Sequence, residues 1–365
     1  MKVLYVGNYL DGTGWGNAAL NNIIAMHRAG IDVVPRRISY GSSIVPNPEV
    51  QELEKKSAKN CDVCIQHCLP KDYFNSPQLK TIGIYHVECD NFKHSLWQSY
   101  INTMDEAWVC SNHTKSTSLI SGVKIPIKSF RASIDFDAID KVEQRPTMRI
   151  KELKDSYNFC FFGEFNDRKN LSALIKAFHL EFAPEENVNL FFKISGGDSE
   201  QSLKNLYRMN DEICASLKLH HAKKIRGLAG YLRYEDYLSL MSQCHCMVIP
   251  SYGEDPCIPI IEAQAIGLRI IYTSFAGMSC YAPTGMPVPS RQVPCVTRGA
   301  TLPELYTGRD TWNEIEISCL RNRMRLAYQN NATKDFIKKS IRSLCSYEVA
   351  GKIFKELLCR QSENA

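Results

Sequence analysis

Two glutamates, Glu254 and Glu262, stand eight positions apart in the stretch SYGEDPCIPIIEAQAIG at 251–267. An unbroken α-helix would set them about 80° apart around its axis, but Pro256 and Pro259 forbid one. Pro259 suits the opening of a helix, and Ile260, Ile261, Ala263 and Ala265 continue it as a buried segment. The pattern predicts Glu254 on a loop and Glu262 in or near the first helical turn. The amides of Cys257 and Ile258 then project from a helix N-terminus, where free donors and the dipole favour an anion. The chemistry this permits is the holding of a phosphate beside two carboxylates. Taken alone, the residues equally fit two solvated glutamates at a helix start.

A second charged group lies upstream. In GEFNDRKNLSALIKAF at 163–178, Gly163 allows a tight exit from the strand NFCFF, and Arg168 and Lys169 follow a polar loop. Asn170 is placed to cap a helix that begins at Leu171. Two cations beside a helix N-terminus suit a diphosphate, since Arg forks onto two oxygens and Lys adds a compact charge. Nearer the start, DGTGWGNAALNNIIAM at 11–26 reads as a glycine-rich loop, with Gly12, Gly14 and Gly16 admitting a ligand and a helix from about Asn17. Its spacing is not the dinucleotide fingerprint. His86 follows the strand TIGIY, at a strand end where site residues project, and fits a satisfied loop histidine as well.

These groups need elements to hold them. Short β-rich runs occur at 2–6, 32–34, 62–65, 81–85, 106–110, 158–162, 189–194, 246–250 and 269–272, with helix-spaced apolar sets such as Leu171, Leu174, Ile175 and Phe178 between them. Strand and helix in alternation mean parallel sheets covered on both faces. The charged, strand-poor stretch 135–158 interrupts the alternation, so the 365 residues divide into two doubly wound α/β domains. We place them at 1–148 and 149–345, with a helix at 346–365 whose Ala350, Ile353, Phe354, Leu357 and Leu358 pack back on the first. In such sheets ligands sit beyond the carboxyl ends of the strands, which predicts a site in a cleft between the domains.

The formal charge of +5 is small for this length, which favours an anionic ligand weakly and a dedicated nucleic-acid surface not at all. No run of eighteen apolar residues occurs and the opening MKVLYVGNYLDGTGWG turns polar early, so the reading is a soluble cytoplasmic protein. Peripheral membrane contact and oligomeric state stay open. The fifteen cysteines include CDVCIQHC at 61–68, but a strand sends Cys61 and Cys64 to opposite faces and no second C-x-x-C completes a metal site. They read as small core thiols, as does CHC at 244–246.

In order along the chain, the first strand with its glycine-rich turn, the G-x-x-x-x-R-K-N of Gly163 to Asn170, and the motif of Pro250, Ser251, Glu254, Pro259, Glu262, Ala263 and Gly267 resemble the retaining family 4 (group 1) glycosyltransferases. The resemblance implies the GT-B fold, with two Rossmann-like domains facing a cleft. It implies a nucleoside diphosphate sugar as donor and no metal cofactor. Glu254 would then contact sugar hydroxyls and Glu262 the ribose, while Arg168 and Lys169 neutralise the diphosphate. The amides of Cys257 and Ile258 would support sugar and phosphate, the glycine-rich turn of Gly14 and Gly16 would let the backbone approach a ligand, and His86 would help position donor or acceptor. The chain departs from the family where Asp255, Pro256 and Cys257 replace its usual Gly, Phe and Gly, and where Glu164 stands in place of a frequent Arg. The sugar, the base and the acceptor, whether glycan, lipid carrier, protein or modified nucleobase, are not specified. An epimerase of the same fold and a non-catalytic nucleotide-sugar-binding protein are the rival readings.

Overall fold

The computed structural model describes residues 1–40, 45–219, 223, 225–297, 302–330 and 334–362, with side chains through 359. The chain forms two compact units, one of Met1–Asp135, Pro294–Thr311 and Ser343–Ala365, the other of Phe136–Val293 and Trp312–Arg342.

The first unit carries a six-stranded parallel sheet of β1 (Lys2–Gly7), β2 (Asp32–Arg37), β3 (Val63–His67), β4 (Lys80–Ile84), β5 (Glu106–Val109) and β6 (Ile127–Ser129), in the order β2-β1-β3-β4-β5-β6. Its helices are α1 (Gly14–Arg28), α2 (Pro48–Glu54), α3 (Trp97–Ile101) and α4 (Asn112–Ile120). The order reverses between β1 and β3, and the chain leaves both strands toward the same end, which opens a crevice there. The segment Pro294–Thr311 returns to this unit, where Tyr306 Oη donates to Glu88 Oε2 at 2.8 Å and Asp310 pairs with His94 at 2.8 Å.

The second unit repeats the design with β7 (Tyr157–Glu164), β8 (Val188–Ser195), β9 (Arg226–Ala229), β10 (Cys246–Ile249), β11 (Arg269–Thr273) and β12 (Met286–Val288), in the order β12-β11-β10-β7-β8-β9. A separate two-stranded sheet joins β13 (Ser290–Pro294) and β14 (Thr311–Ile315). Helices α5 (Phe136–Gln144), α6 (Leu171–Glu181), α7 (Ser199–Ser216), α8 (Tyr234–Met241), α9 (Ile258–Ile266), α10 (Ala276–Ser279), α11 (Ile317–Gln329) and α12 (Lys334–Cys345) accompany them. Here the order reverses between β7 and β10. The run FCFF in β7 and all of CMVI in β10 are buried, as central parallel strands covered on both faces require.

The last helix, α13 (Tyr347–Ser362), packs along α1 and inserts Ala350, Phe354, Leu357 and Leu358 into the core of the first unit. Phe354 stacks on Trp108 with ring centroids 6.0 Å apart and lies 5.2 Å from Phe130. The short strands β6, β9, β12, β13 and β14 have no counterpart in the sequence reading. They are three to five residues long and partly exposed, so their pattern is too short to show alternation. Among the described residues no helix is long and apolar enough to cross a membrane.

Candidate active site

The chemistry in the second unit gathers where its strand order reverses. After β7 the chain makes a single 3-10 turn over Asp167–Lys169, started by Asn166, whose side chain accepts from the Lys169 amide at 3.3 Å. After β10 it runs through Ser251 to Cys257 into α9. The two connections are tied by the Tyr252 amide, which donates to the Arg168 carbonyl at 2.9 Å, and by Arg168 Nη1, which donates to the Gly253 carbonyl at 2.7 Å. Ligands of doubly wound sheets lie at such a reversal because flanking loops leave in opposite directions and part there.

Glu254 lies between the two cations. Its Oε1 accepts from Lys169 Nζ at 2.6 Å and its Oε2 faces Arg168 Nη1 at 2.9 Å. All three side chains are shielded, with 7% of Glu254, 13% of Arg168 and 14% of Lys169 exposed, so water screens the pairs weakly. Burial alone would raise the Glu254 carboxyl, but Arg168 and Lys169 override it and hold the group at about 2. These three side chains together carry two positive charges and one negative, and Glu254 stands three residues before Cys257, the cap of α9. The amides of Cys257 and Ile258, at the cap and first position of α9, have no intrahelical acceptor to reach. Burial pushes the Cys257 thiol up to about 12, so it is a neutral wall beside them.

Glu262 occupies a different setting. It is the fifth residue of α9, one residue further in than a helix opening at Pro259 would place it, because the helix opens at Ile258 and Pro259 takes its second position. It is buried, and Tyr237 of α8 donates its hydroxyl to Glu262 Oε2 at 2.9 Å. Burial pushes the Glu262 carboxyl up to about 7, against the hydroxyls of Tyr237 and Tyr234, which lower it. Gly267 ends α9 at φ 90°, a conformation that an L side chain resists, and a β-carbon there would lie 2.9 Å from Lys334 Cβ. Tyr237 escaped the sequence reading, although Tyr234 and Tyr237 stand three apart in helical register and their rings stack at 6.2 Å.

Two expectations need correction. Asn170 does not cap α6 with its side chain; at φ 49° and ψ 42° it is left-handed and closes the preceding turn, and its Oδ1 accepts from Ser172 Oγ at 3.4 Å. Gly14 and Gly16 are not loop residues, because α1 begins at Gly14 with Thr13 as its cap, Thr13 Oγ1 accepting from the Gly16 amide at 3.0 Å. Asp11 fixes Thr13 in turn, through its amide at 2.9 Å and its hydroxyl at 2.8 Å. A β-carbon on Gly16 would meet Asp11 Oδ1 at 2.0 Å and the Asn8 carbonyl at 3.0 Å, so glycine serves the close approach of helix and loop.

In the first unit, Trp15, between those glycines, sets its ring edge-on to His86 at 4.9 Å. His86 is buried, with Nε2 2.8 Å from His67 Nε2 and Nδ1 3.4 Å from Cys110 Sγ. His67 Nδ1 lies 2.8 Å from the Tyr5 hydroxyl. Burial holds His67 well below the ordinary histidine range and His86 at about 3, so both imidazoles are neutral and one donates to the other. His67 closes β3 in register with Ile84, and His86 stands two residues past Ile84, so the ends of two adjacent strands were the available signal for the pair.

Comparison with known proteins bears on both units. Residues 144–282, which hold Arg168, Lys169, Glu254 and Glu262, match the family model described as glycosyl transferases group 1. Among curated proteins none matches the chain. Solved structures match it end to end at low identity. Sucrose-phosphate synthase from Thermosynechococcus elongatus has a TM-score of 0.68 at 12% identity, covering 100% of each chain. A glycosyltransferase from Rickettsia africae ESF-5 has a TM-score of 0.65 at 13% identity, covering 100% of this chain and 99% of that one. Anabaena Alr3699/HepE in complex with UDP and glucose has a TM-score of 0.67 at 13% identity, covering 99% of this chain and 100% of that one. The two parallel six-stranded sheets with their helices have the GT-B fold of these structural neighbours.

Proposed function

We propose that the chain is a retaining glycosyltransferase that moves a sugar from a nucleoside diphosphate sugar to an acceptor hydroxyl. The observation that carries this reading is the pairing of Arg168 and Lys169 with Glu254 across the reversal between β7 and β10, beside the start of α9. Sugar transfer from such a donor is limited by departure of the diphosphate, on which negative charge grows as the anomeric bond breaks. Fixed cations and helix amides aimed at that charge lower the barrier without reorganising. Arg168 and Lys169 supply the cations, and the amides of Cys257 and Ile258 supply the donors. Glu254 reaches the sugar hydroxyls and Glu262 the ribose.

In a retaining transfer the acceptor attacks on the face the diphosphate leaves. The departing phosphate oxygen then takes the acceptor proton, the new glycosidic bond forms and the anomeric C–O bond to phosphate breaks. The neutral His86, locked by His67 and Cys110, is suited to positioning rather than proton transfer at neutral pH. The solved structure of HepE with UDP and glucose supports the donor class. Incubating the protein with a panel of nucleotide sugars, and following nucleoside diphosphate release with and without excess chelator, tests the reading. We expect one donor to be consumed in both conditions, and consumption of none would overturn it.

A further inference from the structure

We infer that Tyr237 is a positioning residue for the nucleotide, its hydroxyl holding Glu262 Oε2 so that the buried carboxylate keeps one orientation toward a ribose diol. The inference rests on the nucleotide-sugar reading above and adds to it a residue from a different helix. Tyr237 Oη donates to Glu262 Oε2 at 2.9 Å, and the Tyr237 ring is set edge-on to Phe162 at 5.3 Å and 85°. The ring is thus braced by β7 while its hydroxyl meets α9, the two elements that carry the diphosphate group and the ribose group. A carboxylate on a long, flexible stem loses rotamer freedom when it binds a diol, and a partner that fixes it beforehand removes that cost.

Tyr237 also governs how readily Glu262 ionises. A buried carboxyl without donors would stay protonated and offer a diol one good acceptor at most. The groups that act on Glu262 are the hydroxyls of Tyr237 and Tyr234 from α8; no ionisable group on α5, β10 or β11, which also pack near α9, adds to them among the described residues. The thiols of Cys257 and Cys160 act on Tyr237 instead. With Glu262 pushed up to about 7, its ionised fraction falls as pH drops from 8 to 6, and loss of the Tyr237 donor moves that fall to higher pH.

The test compares adenosine, guanosine and uridine diphosphates with their 2′,3′-dideoxy forms by calorimetry from pH 6 to pH 8. The tightest pair is then used for the variants. Each pair carries the same phosphates, so the ratio of the two affinities cancels titration of the diphosphate and isolates the diol. For the wild type we expect the diol preference to shrink by several-fold, up to about tenfold, from pH 8 to pH 6. In Tyr237→Phe the preference at pH 7 should fall by about tenfold, with the dideoxy affinity unchanged and the pH dependence displaced upward. In Glu262→Gln it should be small and independent of pH. A Tyr237→Phe protein that keeps the wild-type preference and profile, while Glu262→Gln loses both, would overturn the role of Tyr237 and leave the nucleotide reading standing. Failure of the wild type to bind any of the diphosphates would overturn both. Should Tyr237→Phe not fold, a pH-independent diol preference in the wild type alone would suffice to refute the inference.

Discussion

Lys169 and Glu254 meet across the reversal between β7 and β10, Nζ 2.6 Å from Oε1, and Arg168 closes the other carboxylate oxygen at 2.9 Å. Glu254 is therefore the resident counter-ion of the cations that a diphosphate would claim. On the proposed reading a donor would share or displace it, and the freed carboxylate would then be available to the sugar.

Glu254→Gln should accordingly bind nucleoside diphosphate more tightly than the wild type, by about tenfold, because two cations lose an internal competitor. Sugar transfer should slow at the same time, since the carboxylate proposed to contact the moving group is gone. The variant should also melt earlier when empty, as two shielded cations lose their partner, and recover more on adding diphosphate. Thermal melts with and without diphosphate, alongside calorimetry, check both halves.

Glu262 exacts a stability cost that its removal reveals. Its folded carboxyl titrates at about 7 against 4.5 in the unfolded chain, so the contribution is fully present below 4.5 and is lost as pH rises through 7. The loss amounts to about 3 kcal/mol. Glu262→Gln should be more stable than the wild type at pH 8 and lose that advantage toward pH 4.5, as urea unfolding at the two pH values would show.

Phe354→Ala removes a fully buried ring that α13 lays against Trp108 and Phe130. It should cost about 3–5 kcal/mol, the range for emptying an aromatic site in a core. Denaturant unfolding measures it, and a loss below about 1 kcal/mol would mean that α13 adds little to the first unit.

The second unit was legible where residues follow strands. Arg168 and Lys169 could be placed after β7, and Glu254 after β10, because buried strands such as NFCFF announce themselves and a loop must follow. The ion pairs were not legible, since they depend on which strands become neighbours. Tyr237 was missed for the same reason: its partner lies on another helix, reached only when α8 packs on α9. The start of α1 was placed late because glycines at 14 and 16 lower helix propensity, whereas the Asp11 and Thr13 cap outweighs them. No periodicity marks Pro294–Thr311 as part of the first unit, which it meets through isolated bonds such as Tyr306 with Glu88 and the Asp90 amide with the Thr311 carbonyl.

The central claim is that the cations after β7 hold the diphosphate of a nucleotide sugar, and calorimetric titration of Lys169→Ala with the nucleoside diphosphate that binds the wild type most tightly tests it most directly. Loss of one charge-assisted contact of about 1.5–3 kcal/mol predicts roughly ten- to a hundredfold weaker binding. The intact donor should weaken to the same extent, since it carries the same anion, and the folded protein should remain intact by its melting curve. Affinity equal to the wild type's in a folded Lys169→Ala protein would contradict the account.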